Sequence, residues 1–359
     1  MNPIQAARAA GQQIWLDNLS RALINEGTLA RHIADGVAGV TTNPAIFHKA
    51  IAEGLDYLTD LDALRARPLD AEARYEALVI QDVQRACDLM RPVFDASQGD
   101  AGYVSLEVSP ALADDEAGTV AAARRLAAAV ARDNLLVKIP ATAAGVRAIE
   151  TLTGEGLSIN VTLMFSPAHV EAVAAAYVRG LEALAAKGGD LSRVRSVASV
   201  FLSRWDSLVD KQLEELGSDA ALALRGRTGV AFARQAYQQY LARFHGDAFA
   251  ALAARGARPQ SMLWASTGTK NPAYPDLMYV EPLIGPETVN TLPDVTLAAF
   301  IDHGRVIGNT VGTEVEASAN HILALGRLGI DLDVLGERLQ QEGLAQFASA
   351  FGKLLDLTA

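Results

Sequence analysis

Cysteine is nearly absent: Cys87 is the single example in 359 residues, so no intrachain disulfide can form and a reducing compartment is expected. No cationic N-terminal segment leads into a long apolar run. Elsewhere Arg, Asp, Glu or Gly interrupts the apolar stretches well short of the roughly 18 residues a membrane span needs. The expectation is a cytoplasmic protein with no membrane partner. Positive charge is scarce as well, with 31 Lys and Arg against 42 Asp and Glu and a net charge of −11. Such a balance argues against nucleic acid or anionic lipid as a partner. Any phosphate this chain binds must be met by a few local groups.

Several cofactor signatures are missing too. His32, His48, His169, His245, His303 and His321 show no paired spacing on a helix face that would read as a metal site. Gly308 to Gly312 lacks the full glycine pattern of a dinucleotide-binding turn, and no Gly-x-x-x-x-Gly-Lys-Ser/Thr loop occurs. There is neither a low-complexity tract nor a recognisable repeat.

What is present is ordinary globular material, 50% hydrophobic and 20% charged, ample for a large core. Short apolar or β-branched runs recur at Ile14 to Asn18, Gly39 to Asn43, Tyr103 to Val108, Leu135 to Pro140, Leu157 to Met164, Val197 to Leu202, Ser261 to Ser266 and Leu277 to Val280. Between most of them lie Ala-, Leu-, Glu- and Arg-rich segments with helical spacing, such as Glu116 to Arg132, Pro167 to Lys187 and Ala231 to Arg255. Strands alternating with helices predict a parallel sheet, and eight of them suggest closure into a (β/α)₈ TIM barrel.

The length fits one barrel domain spanning 1–359. The second connection is about twice the usual βα repeat. Within it, Leu61 to Arg91 reads as helices with a start signal at Pro68-Leu69-Asp70, so a helical insertion is expected over about 48–100. Helical patterns at Thr296 to Gly304, Glu314 to Leu328 and Leu344 to Leu355 follow the last strand; those over about 310–359 are expected to cover the barrel.

Residues two apart on a strand share a face, so polar residues of one parity mark the barrel interior. Trp15 and Asp17, Thr41 and Asn43, Ser105 and Glu107, Leu136 and Lys138, then Ser158, Asn160 and Thr162 follow this rule, as do Ser199 and the pair Trp264 and Ser266. Polar members fall toward the C-terminal ends, where barrel enzymes place their active sites. One rim would gather Asp17, Asn43, Glu107, Lys138, Asn160, Thr162 and Ser199.

Lys138 lies in Leu-Leu-Val-Lys-Ile-Pro, where an ammonium must be desolvated. Desolvation favours the neutral amine, which can attack a carbonyl. A structural ion pair with Glu107 accounts for the same segment equally well. Asp17 and Glu107 would supply the proton transfers that carbon–carbon cleavage requires, although each also suits a helix cap or an ordinary ion pair. Asn43 precedes Pro44 and reads equally as a turn residue. Arg204 and Lys270 follow the sixth and seventh strands, where barrels often hold phosphate; taken singly, each also fits a solvated surface charge.

Together these strand ends resemble the transaldolase family along nearly the whole chain. Asp-Gly-Val-Ala-Gly-Val-Thr-Thr-Asn-Pro-Ala-Ile-Phe at residues 35–47 is similar to the family's N-terminal signature. Val-Lys-Ile-Pro-Ala-Thr at 137–142 is similar to the segment carrying its Schiff-base lysine, and Asn-Val-Thr-Leu-Met-Phe-Ser at 160–166 to the following strand. The resemblance implies that Lys138 forms an imine with a ketose donor and that Asp17 handles the proton of the hydroxyl whose loss splits the carbon chain. It implies that Glu107 acts through a water held by Thr162, that Asn43 and Asn160 bond donor hydroxyls, and that Ser199 and Arg204 belong to the phosphate site, with Ser266 and Lys270 beside them. Shorter family members carry an arginine soon after the seventh strand, where this chain has Ser-Thr-Gly-Thr-Lys at 266–270; a lysine binds phosphate without bidentate geometry.

The reaction implied is reversible transfer of a dihydroxyacetone unit from sedoheptulose 7-phosphate to glyceraldehyde 3-phosphate in the pentose phosphate pathway, giving erythrose 4-phosphate and fructose 6-phosphate. No metal or organic cofactor is implied, and a monomer or homodimer is expected. Two alternatives stay open at this level: an aldolase of the same superfamily that releases free dihydroxyacetone, and a non-catalytic sugar-phosphate-binding protein.

Overall fold

A computed structural model describes residues 2–359. Eight parallel strands close into a barrel in chain order: β1 (Gln12–Leu16), β2 (Gly39–Val40), β3 (Tyr103–Glu107), β4 (Leu135–Pro140), β5 (Ile159–Met164), β6 (Ser196–Phe201), β7 (Ser261–Ala265) and β8 (Thr288–Leu292). The circle shuts where β1 pairs with β8, Gln12 opposite Thr288 and Leu16 opposite Leu292. Helices cover the outside, so the strands are buried on both faces and read as near-continuous apolar runs.

The barrel interior is packed, not open. Trp15 is fully buried within it; Trp264, expected from parity to face inward, is fully buried on the outer face of β7 instead, because Leu263 and Ala265 on either side of it line the cavity. Both indole N–H groups are satisfied, Trp15 Nε1 donating to Gln13 Oε1 at 3.1 Å and Trp264 Nε1 to the Leu283 carbonyl at 3.0 Å. Gly39 in β2 is required by this packing: a Cβ there would sit 2.5 Å from the Trp15 ring.

The eighth strand differs from the sequence expectation. Leu277 to Val280 is a turn that runs into a short 3₁₀ segment, Glu281–Leu283, and β8 lies further on. The turn is apolar because it packs against the core, with Tyr279 and Val280 buried. The true strand looks polar because its outward side chains, opposite in parity to the cavity-lining Thr291, are paired beneath the surrounding layer: Gln12 Nε2 donates to Thr288 Oγ1 at 3.0 Å and Asn290 Nδ2 to the Tyr279 carbonyl at 2.9 Å.

Other boundaries shift by a few residues. The first strand ends at Leu16, and β2 is cut to two residues, so Asp17, Thr41 and Asn43 sit just beyond the strands in the rim. The Ala231 to Arg255 pattern divides into helices Thr228–Phe244 and Asp247–Ala253 around Gly246.

Between β2 and β3 stand the helices Pro44–Glu53, Leu58–Arg65 and Ala71–Ala96. Asp70 starts the last of these by accepting a hydrogen bond from the Ala73 N–H at 2.8 Å. A buried ion pair, Arg21 Nε to Asp82 Oδ1 at 2.9 Å, ties that helix to the segment after β1. The final helix, Leu332–Thr358, packs on Pro44–Glu53, Ala71–Ala96 and β5. Among the described residues no helix is long and apolar enough to cross a membrane.

Candidate active site

At the C-terminal ends of the strands a cavity of 160 Å³ is lined by Asp17, Thr41, Asn43, Lys138, Ser199, Phe201, Arg204, Ser266, Lys270, Thr291 and Phe347, among others. Seven of the ten residues singled out from the sequence therefore meet at one opening: Asp17, Asn43, Lys138, Ser199, Arg204, Ser266 and Lys270. Glu107, Asn160 and Thr162 do not line it, but strand register holds them beside the lysine. Glu107 is opposite Lys138 across β3 and β4, Lys138 is opposite Asn160 across β4 and β5, and Thr162 is opposite Pro140.

Lys138 is 5% exposed, and Nζ donates to the Thr42 carbonyl at 3.0 Å. Glu107 Oε2 is 3.5 Å from the amine, yet this oxygen has no hydrogen-bond partner among the described residues. Burial pushes the Glu107 carboxyl up to about 7, against the lowering effect of Lys138 and with a further raising effect from Asp17. Burial also raises Asp17, opposed by Lys138 and by the hydrogen bond Thr41 donates to Asp17 Oδ1 at 2.7 Å. Two carboxyl groups that burial raises thus interact with one buried amine.

The polar groups around them are mostly oriented by one another. Ser199 Oγ donates to Asn160 Oδ1 at 2.7 Å, and Asn160 Nδ2 donates to Ser105 Oγ at 2.9 Å. Asn43 serves the turn role open to it, its Oδ1 capping helix Pro44–Glu53 through the Ile46 N–H at 3.0 Å, while the residue still borders the cavity. Thr162 Oγ1 is buried with no partner among the described residues, like Glu107 Oε2; both are suited to hold a water. A bulge beside Thr162 gives Leu163 a φ of 59° and shifts the β5–β6 register.

The other end of the cavity is cationic. Arg204, Ser266 and Lys270 line it and also a neighbouring 450 Å³ cleft with Ser203 and Gln346. Neither Arg204 nor Lys270 has a carboxylate within ion-pair distance among the described residues. Arg204 lies at the start of helix Ser203–Leu216, its guanidinium 5.4 Å from the Phe201 ring centre and its Nη1 buried without a partner among the described residues. Burial lowers its pKa, with Glu342 acting the other way. An oxyanion in the cavity would supply the charge partner that the guanidinium lacks.

Thr291, Phe201 and Phe347 were not foreseen. Thr291 was hidden by the displaced eighth strand; its Oγ1 is 2.6 Å from Thr41 Oγ1. Phe201 has the inward parity of Ser199, and that parity was the available signal. Phe347 comes from the final helix, and nothing local marks it.

Among the described residues no group of three or more His, Cys, Asp or Glu is arranged to hold a metal. A larger surface cavity, 870 Å³, opens at the opposite end of β3 to β5. Its charges pair with each other or with neighbours, as in Arg132 with Asp88 at 2.6 Å and Arg193 with Asp133 at 3.7 Å. It offers no unpaired reactive group, and in this architecture that face serves stability.

A family model described as transaldolase/fructose-6-phosphate aldolase matches residues 14–358. The chain is 55% identical over 356 residues to the transaldolase of Thiobacillus denitrificans, with 99% of each chain covered. It is 48% identical over 355 residues to that of Neisseria gonorrhoeae, again with 99% of each covered. Against the transaldolase of Mycolicibacterium smegmatis it is 46% identical over 359 residues, covering 99% of this chain and 97% of the relative.

Proposed function

The chain belongs to the transaldolase/fructose-6-phosphate aldolase family, and from that premise we propose that it acts as a transaldolase whose Schiff base forms on Lys138. The observation that carries this reading is the buried Lys138 amine, set between two carboxyl groups that burial holds above their ordinary range.

In this scheme Lys138 Nζ attacks the ketone carbon of the donor and water leaves to give an iminium. Glu107, through a water shared with Thr162, moves the protons of that step. Asp17 then takes the proton of the C4 hydroxyl, the C3–C4 bond breaks, and its electrons pass to the iminium to leave an enamine. The first aldehyde departs, a second enters, and the same steps run in reverse. Asn43, Asn160 and Ser199 bond the donor hydroxyls; the hydrogen bond between Ser199 and Asn160 supports placing Ser199 at this end. Arg204, Ser266 and Lys270 hold the phosphate of donor and acceptor alike. Residues 1–359 act as one domain, in the cytoplasm, on sugar phosphates of the pentose phosphate pathway.

Borohydride reduction in the presence of fructose 6-phosphate tests the scheme. A three-carbon adduct is expected on the peptide containing Lys138; an active preparation that yields no adduct there overturns it.

A further inference from the structure

One aromatic ring reaches the reacting amine from the far end of the chain. Phe347, on helix Leu332–Thr358, lines the cavity with Asp17 and Lys138, and its ring centre is 5.8 Å from Lys138 Nζ. The side chain is 7% exposed.

The seating of that helix is built for close approach. Gly336, Gln340, Gly343, Phe347 and Phe351 follow each other at spacings of four, three, four and four residues, one face of an α-helix, and all are buried. Gln340 Nε2 donates to the carbonyls of Ala141 and Leu163, both at 3.0 Å. Those carbonyls belong to the residues directly after Pro140 and Thr162, so the helix is pinned to the strand ends that carry Lys138 and Thr162. At Gly343 an added Cβ would lie 2.9 Å from Leu163 Cδ2 and 3.0 Å from Arg204 Nη1; at Gly336 it would lie 2.7 Å from Ser166 Cβ. Beyond Phe347 the face continues into Phe351, which packs edge-on against Tyr75 at 5.5 Å. Phe347 is thus held in place by fixed contacts on either side.

We infer that Phe347 sets the partition between transfer and release, by covering the Lys138 end of the cavity against water. This rests on the Schiff-base reading above. After cleavage the enamine on Lys138 has two fates. In transfer, its carbon bonds to the acceptor aldehyde, and the new hydroxyl takes the proton held by Asp17. In release, that carbon takes a proton from solvent, and Asp17 returns its own proton to solvent. Water then adds to the iminium carbon, the C–N bond breaks, and dihydroxyacetone leaves with the amine restored; the water consumed equals the water lost when the imine formed. Both routes end with water hydrolysing the iminium; only the second needs solvent to reach and protonate the enamine carbon, and an apolar ring beside the amine opposes that access. The ring is also close enough to a cationic iminium to stabilise it.

The test compares Phe347→Ala and Phe347→Leu with the unaltered enzyme. Free dihydroxyacetone from fructose 6-phosphate alone is measured against transfer to erythrose 4-phosphate, with borohydride trapping in parallel. The release-to-transfer ratio should rise by about tenfold in Phe347→Ala and by less in Phe347→Leu, which keeps most of the apolar volume. A folded Phe347→Ala that traps the donor and keeps the original ratio overturns the assignment; if it does not fold, an unchanged ratio in Phe347→Leu does so. Failure of trapping in the unaltered enzyme would instead count against the Schiff base itself.

Discussion

Glu107 and Lys138 occupy facing positions in the β3–β4 register, with Glu107 Oε2 3.5 Å from the amine, while the hydrogen bond of Nζ goes to the Thr42 carbonyl. A buried amine and an ion pair, which the sequence leaves as alternative readings, are therefore combined at one place. A backbone carbonyl fixes the direction of the amine, and the carboxylate beside it is free to accept from something else.

Because burial lifts Glu107 to about 7 from an ordinary 4.5, the folded protein binds more protons than the unfolded chain between those values. Its contribution to stability is consequently present at low pH and lost as pH rises through that window. Denaturant unfolding from pH 4.5 to 7.5 should show the unaltered protein losing stability relative to Glu107→Gln, by up to about 3 kcal/mol. A difference that does not vary with pH would contradict the raised carboxyl. The same variant should lose about 100-fold or more in kcat.

Asp17 is raised by burial and bonded by Thr41, which suits a group that accepts a proton at one step and returns it at the next. In Asp17→Asn the imine with fructose 6-phosphate should still be trapped, while turnover falls by about 100-fold or more. Undiminished turnover would remove Asp17 from the scheme.

Arg204 lines the cationic end of the cavity, with no carboxylate within ion-pair distance among the described residues. Arg204→Ala should lower kcat/KM for phosphorylated donors by roughly 10- to 100-fold, the range of a lost charge-assisted hydrogen bond. Lys270→Ala should act in the same direction and more weakly, since lysine binds as a point charge. An equal loss with unphosphorylated fructose would show that neither residue reads the phosphate.

Arg21 and Asp82 form a pair whose side chains are 8% and 0% exposed. Asp82→Ala leaves the guanidinium with the half-exposed Asp60 at 2.6 Å as its carboxylate partner. Chemical denaturation should register a loss of about 3 kcal/mol or more. Because neither residue lines the candidate site, the fraction that remains folded should keep its specific activity.

Much of the rim was legible along the chain because facing is a local property of a strand. Residues two apart share a side, so Lys138, Asn160, Ser199 and Glu107 declared themselves by a polar side chain at an inward position of an apolar run. The same rule failed for β8, where Thr288, Asn290 and Thr291 are buried and the strand carries more polar side chains than the apolar turn at Leu277 to Val280. A buried loop and a buried strand have similar composition when hydrogen bonds from elsewhere satisfy the strand.

The sequence by itself determined the alternation of strand and helix, the parity of the inward residues and the chemical kinds of group at the strand ends, all of which depend on neighbours a few positions away. Only the tertiary structure decided which of those ends meet. Closure of the barrel brings Thr291 to 2.6 Å from Thr41, and Gln340 anchors a helix about 200 residues downstream of Lys138 so that Phe347 reaches its amine. Such contacts depend on the relative placement of separate elements, which no local pattern encodes.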